Sequence, residues 1–163
     1  MILRGPYLPE PGDSRTKNTG NVKAARQFFF EHRPRNLSHL LRQRYSWMTR
    51  YLADKEKVIE IGSGAGLSRE FIDHPGLVLT DVEKHAWVDM QADALNMPFD
   101  DGALEAVISV HMIHHLANPR KFFQEMARVL KPGGMLVIQE VHSSLATRAV
   151  IRLMRIEGWS YDI

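Results

Sequence analysis

A chain of 163 residues with 44% hydrophobic and 25% charged side chains is long enough for one domain with a buried core and has the balance of a globular protein. Its formal net charge of only +2 describes no basic surface built for nucleic acid, so that partner is unsupported. With no cysteine, disulfides, thiolate chemistry and cysteine-ligated zinc are excluded, and no apolar run approaches the length that crosses a membrane.

Residues 1–21 are polar and broken by Gly5, Pro6, Pro9, Pro11, Gly12 and Gly20, which is the composition of an arm without regular structure. No signal-peptide core is present there, so no membrane partner and a cytoplasmic location are expected. Residues 22–33 suit a helix, with Ala24, Ala25, Phe28 and Phe29 giving apolar periodicity and Pro34 stopping it. A firmer helix is predicted from Ser38, because Leu40, Leu41, Tyr45, Met48 and Leu52 recur at helical spacing while Arg42, Arg44 and Arg50 fall largely elsewhere. Two roles are open for this helical region, 22–54: packing on a sheet, or a lid that brings Tyr45 and Trp47 near a ligand. The principal domain is then expected over 55–163.

Lys57 to Ile72 reads as strand, glycine turn and helix. Val58, Ile59 and Ile61 are the β-branched run of a strand buried on both faces of a parallel sheet. Gly62, Gly64 and Gly66 let the backbone turn and approach a ligand closely, with Ser63 between them. Leu67, Phe71 and Ile72 are expected to open a helix whose first N–H groups point at the same spot. Glu60, costly to bury alone, is expected at the exposed end of the strand. A dinucleotide fingerprint fails because position 67 is Leu, and the Walker loop is absent. The remaining pattern, acid-x-Gly-x-Gly-x-Gly, resembles the first motif of the class I S-adenosylmethionine-dependent methyltransferases.

Pro75-Gly76 ends that unit, and Leu77 to Thr80 form a second strand that finishes at Asp81, nineteen residues after Gly62. In a βαβ unit this is where a carboxylate meets both ribose hydroxyls, although an acid after a strand also serves as a turn former. Residues 82–93 are too few for a full helix plus a strand, so Trp87–Gln91 is predicted as a short strand with its apolar side chains in the core. From Asp93 the pattern Asp-Ala-x-x-x-Pro-Phe, then apolar, acidic and apolar positions up to Ser109, is similar to the small-molecule branch of that family, the methyltransferase domain 11 type. The resemblance implies that Asp93 accepts from the adenine amino group while N–H groups near Ala94 and Leu95 meet the ring nitrogen. A fourth strand, 106–110, leads into His111-Met112-Ile113-His114-His115. That spacing matches no usual zinc site, and no metal is expected. The resemblance places His111 beside the methionine portion of the cofactor.

Asn118-Pro119 signals a helix start, Phe122, Met126, Val129 and Leu130 give its buried stripe, and Lys131-Pro132-Gly133-Gly134 its end. Met135 to Ile138 make a fifth strand, and a last helix is expected over 144–157. The alternation predicts an α/β, Rossmann-like, doubly wound and mainly parallel sheet that lacks the two further strands of family members. Its fifth strand would be an open edge, covered by a longer polypeptide or by a homo-oligomer. The resemblance implies S-adenosylmethionine as cofactor, S-adenosylhomocysteine as product and a small-molecule acceptor. Glu60 and the turn glycines would hold the methionine end, Asp81 the ribose and Asp93 to Leu95 the adenine. His111 and Tyr45 are candidate bases, but many such enzymes need none. An inactive binding domain of the same fold and a nicotinamide-dependent oxidoreductase are the alternatives.

Overall fold

The computed structural model describes residues 21–140, 144–146 and 149, so the arm and the last helix expected from the sequence fall almost wholly outside the described residues. Val22–Glu140 form one compact unit. Its sheet has five parallel strands, β1 (Val58–Ile61), β2 (Leu77–Asp81), β3 (Met90–Gln91), β4 (Leu104–Val110) and β5 (Leu130–Gln139), in the order β3-β2-β1-β4-β5. The parallel doubly wound arrangement expected from the alternation is therefore what forms.

Side chains alternate across the sheet because a strand repeats every two residues. Val58, Leu77, Leu79, Ala106, Ile108 and Val137 face a layer of helices, α1 (Val22–His32), α2 (Arg35–Tyr45) and α3 (Thr49–Leu52), which buries Phe29, Leu41, Met48 and Leu52 against them. Ile59, Ile61, Leu104 and Val107 face the opposite layer, where α4 (Pro119–Val129) inserts Phe122, Met126 and Val129. The helix predicted from Ser38 to Leu52 starts earlier and breaks at a 3-10 turn over Ser46–Met48. Ser46 Oγ donates to Arg42 O at 2.7 Å, the back-bonding that bends helices.

Three expectations are corrected. The helix after the glycine turn is only a 3-10 turn, Leu67–Glu70. Phe71 leaves helical geometry at φ −130°, and its ring packs on Phe29 at 6.0 Å and Tyr45 at 6.3 Å. The third strand is Met90–Gln91 alone, because Trp87 turns away to the glycine loop. The fifth strand begins at Leu130, with Lys131-Pro132-Gly133-Gly134 bulged out between the pairs Leu104–Leu130 and Ala106–Met135.

α4 starts as the sequence predicts: Asn118 Oδ1 accepts from Lys121 N at 3.0 Å, and Pro119 occupies the first turn. Asn118→Ala should lower the unfolding free energy by about 1 kcal/mol, with Asn118→Asp restoring most of it, as read from urea melts.

Candidate functional site

The glycine turn leaves β1 with Gly62, Gly64 and Gly66 at φ of +69°, +51° and +62°. Gly62 must be glycine on two counts, since a Cβ there would also stand 2.4 Å from Met112 Cγ. Asp81, at the tip of β2, binds the turn directly: Gly64 N donates to its Oδ2 at 2.8 Å, and Glu83 N to its Oδ1 at 3.0 Å. Ser63 is tied down by N–H donation to Thr80 O at 2.9 Å and hydroxyl donation to Glu60 O at 3.2 Å. On the outer side, Trp87 Nε1 donates to Gly64 O at 2.9 Å and Arg26 Nη1 to Ala65 O at 2.8 Å. Neither of these last two contacts was legible in the sequence, because each joins residues far apart in the chain.

Glu60 is not at an exposed strand end. Period-two alternation turns its side chain to the α1–α3 layer, where it is 2% exposed and accepts a hydrogen bond from the Ser68 hydroxyl. Burial raises its pKa from 4.5 to about 7, with the Asp81 charge adding to the rise and the Ser68 bond opposing it. Tyr45 lies in the same layer, buried and stacked on Phe71. Burial, and then the charge of Glu60, push its phenol above its ordinary range.

The parallel pairs Thr80–Met90 and Asp81–Gln91 bring Asp93 to the same end of the sheet. It is exposed, and its Oδ1 accepts from Leu95 N at 2.8 Å, so it caps its own turn. Ala94 beside it is buried. Val82, which sequence reasoning passed over, follows Asp81 and is 60% exposed, an apolar surface at the lip of the site.

At the tips of β4 and β5 a second cluster forms. His111 adopts φ +52°, and its N–H donates to Gln139 O at 2.8 Å. Glu140 Oε1 accepts from Met112 N at 2.9 Å and Ile113 N at 2.7 Å, while its Oε2 lies 2.6 Å from His114 Nδ1. Burial pushes the Glu140 carboxyl up, but His114 and the two N–H groups outweigh it and hold the pKa below the ordinary carboxylate value. Trp47 Nε1 reaches Gln139 Oε1 at 3.3 Å, so the break between α2 and α3 touches this cluster. Among the described residues no three His, Asp or Glu side chains converge as a metal site, and no helix is long and apolar enough to cross a membrane.

A concavity of about 690 Å³ lies elsewhere, at the amino ends of β4 and β5, lined by Phe123, Met126, Leu130 and Leu136 among others. In a parallel sheet that is the end opposite the glycine turn. Ligands of open α/β sheets sit outside the carboxyl ends of the strands, and the turn, Asp81, Asp93 and Glu140 all stand there.

Residues 59–138 match the family model described as a methyltransferase domain. Demethylmenaquinone methyltransferase of Corynebacterium urealyticum is 36% identical over 99 residues, covering 55% of this chain and 43% of that protein. Ajmaline N-methyltransferase of Rauvolfia serpentina is 46% identical over 55 residues, covering 33% of this chain and 19% of that protein. The chain thus matches less than half the length of either relative. A solved structure from Methanococcus maripaludis, described as an S-adenosyl-L-methionine-dependent methyltransferase, superposes with a TM-score of 0.53 at 16% identity, over 92% of this chain and 75% of that one, and so shares the fold. Strand order, glycine turn and family match agree: the chain belongs to the methyltransferase domain family and has the class I fold.

Proposed function

We propose that this chain binds S-adenosylmethionine across the carboxyl tips of β1, β2 and β3 and serves methyl transfer to a small molecule. The bond from Gly64 N to Asp81 Oδ2 carries this reading, because it holds a carboxylate against the glycine turn where ribose hydroxyls would be met. The residues fit the cofactor. Asp81 retains lone pairs for hydroxyl donors, Val82 offers an apolar surface to a base, and Asp93 stands one strand further out. Glu60 and Ser68 act beneath the turn and fix its shape rather than meeting a ligand directly. Bound, the cofactor would supply a sulfonium methyl and leave S-adenosylhomocysteine.

The chain's own part in the chemistry is to orient an acceptor and, where the acceptor carries a proton, to take it up. We place that role on His114, whose Nδ1 is held by Glu140, leaving Nε2 as the basic nitrogen. Tyr45 is less suited, since burial keeps its phenol protonated. The two relatives described above are named for demethylmenaquinone and for ajmaline, both small molecules, which supports an acceptor of that class here.

Titration calorimetry tests the reading. S-adenosylmethionine and S-adenosylhomocysteine should both bind the wild-type chain, and Asp81→Ala should weaken both by about 10- to 100-fold, the range for lost hydrogen bonds to a charged acceptor. Heat with a nicotinamide dinucleotide and none with either adenosyl compound would sink it.

A further inference from the structure

Between β3 and β4 the chain runs from one edge of the sheet past β2 and β1 on the α4 side, through residues 92–103, with no helix or strand of its own. β3 holds the start of this segment weakly, since it pairs with β2 over two residues only. The segment carries Asp93, whose turn is closed by Asn96 N donating to Asp93 O at 3.0 Å and Leu95 N to Asp93 Oδ1 at 2.8 Å. The next residue, Met97, is 3% exposed, so both polar groups of its backbone need partners. Two side chains of α4 supply them, as a neighbouring strand otherwise would. Glu125 Oε2 accepts from Met97 N at 2.9 Å, and Arg128 Nη2 donates to Met97 O at 3.0 Å. Arg128 Nη1 donates to Phe99 O at 2.7 Å and to Asp101 Oδ1 at 3.0 Å. Its Nε and Nη2 bind Glu125 at 3.1 and 2.8 Å. Five acceptors thus meet the five N–H groups of one guanidinium.

We propose that Glu125 and Arg128 are positioning residues for base selectivity: by fixing the backbone at Met97 and Phe99 they hold the Asp93 carboxylate where it separates a 6-amino purine from a 6-oxo purine. This rests on the cofactor assignment made above, with Asp93 at the base. A carboxylate accepts from an amino group, whereas an oxo group turns lone pairs toward lone pairs and leaves the carboxylate unpaired. Discrimination of that kind depends on a site that cannot retreat. A loose turn would let Asp93 back away and water fill the gap, which loses the match and relieves the mismatch together. The α4 pair grips main-chain atoms, so it fixes the path of the segment whatever side chains the segment carries. Neither residue touches the ligand in this reading. A pair that merely stabilised the fold would lower the melting temperature and leave the preference between the two bases as it was.

Calorimetry with two probes reads that preference: S-adenosylhomocysteine and S-inosylhomocysteine, in which the amino group of the base is replaced by oxo. The wild-type chain should bind the first about 10- to 100-fold more tightly, and Arg128→Gln should bring the ratio below about 3-fold, chiefly by weakening the adenosyl compound. Glu125→Gln keeps an acceptor for Met97 N but loosens the hold on Arg128, so its ratio should fall between the two. Asn118→Ala is the control, because it weakens the other end of the same helix without touching residues 92–103, and its ratio should equal the wild type's. Thermal melts establish that each variant is folded, and if Arg128→Gln is not, Glu125→Gln carries the comparison. A folded variant of the pair that keeps the wild-type ratio, or an equal change in Asn118→Ala, would overturn the proposal. A wild-type chain that binds both probes alike would overturn it too and leave the cofactor assignment standing. A wild-type chain that binds neither would overturn that assignment, and this proposal with it.

Discussion

Gly62→Ala is expected to lower the unfolding free energy by about 2–5 kcal/mol in urea melts. Two costs combine. An L-residue at φ +69° gives up about 1–2 kcal/mol relative to glycine, and a methyl group 2.4 Å from Met112 Cγ overpacks a contact between two parts of the core at a further cost of about 1–3 kcal/mol. Met112 is 9% exposed and its N–H is held by Glu140, so its base cannot swing aside freely. The two costs can be separated. Met112→Ala in the same chain removes the clash but not the backbone strain, so the double variant should be more stable than the sum of the two single losses by about 1 kcal/mol or more. Additive losses would show that the steric contact contributes nothing and that backbone conformation alone demands glycine. The consequence reaches the site, because Met112 belongs to the segment that carries His114: a side chain at 62 would push the turn and the β4 tip apart.

The elements read correctly from the sequence are those specified by their own residues. β1, β2 and β4 are short, mainly apolar runs, and α4 has its cap, its proline and its apolar stripe within a dozen positions. The turn and Asp81 were legible for the same reason, as a spacing between adjacent strands. The 3-10 turn that replaces the helix expected after Gly66 was not, because Phe71, where it ends, packs on Phe29 and Tyr45 from other elements, contacts no local pattern shows. Arg26 at the turn and Glu140 beside His114 were equally hidden, joining residues 39 and 26 positions apart. Glu60 was misplaced by a sound rule. A lone buried carboxylate is costly, and the chain meets that cost with the Ser68 hydroxyl and a raised pKa.

That raised pKa sets a pH dependence. Unfolded, Glu60 titrates near 4.5, and folded, at about 7. Below 4.5 both states hold the proton and Glu60 contributes no penalty. Between the two values the folded state keeps a proton that the unfolded state has released, so stability falls as pH rises. Above about 7 the buried carboxylate is ionised and the full cost is present. A rise of this size corresponds to about 3 kcal/mol, taken as an order of magnitude for a group buried this deeply. Glu60→Gln has no proton to lose, so its stability relative to the wild type should climb by about that amount between pH 5 and pH 8, as read from urea melts across the range. A constant difference would mean that Glu60 titrates alike in both states and that Ser68, with the polar edge of the turn, keeps the charge fully solvated. The same ionisation should bear on the ligand. A sulfonium favours the charged carboxylate and the neutral thioether of S-adenosylhomocysteine does not, so the affinity ratio of the two should shift toward S-adenosylmethionine as pH passes 7 in the wild type but stay level in Glu60→Gln.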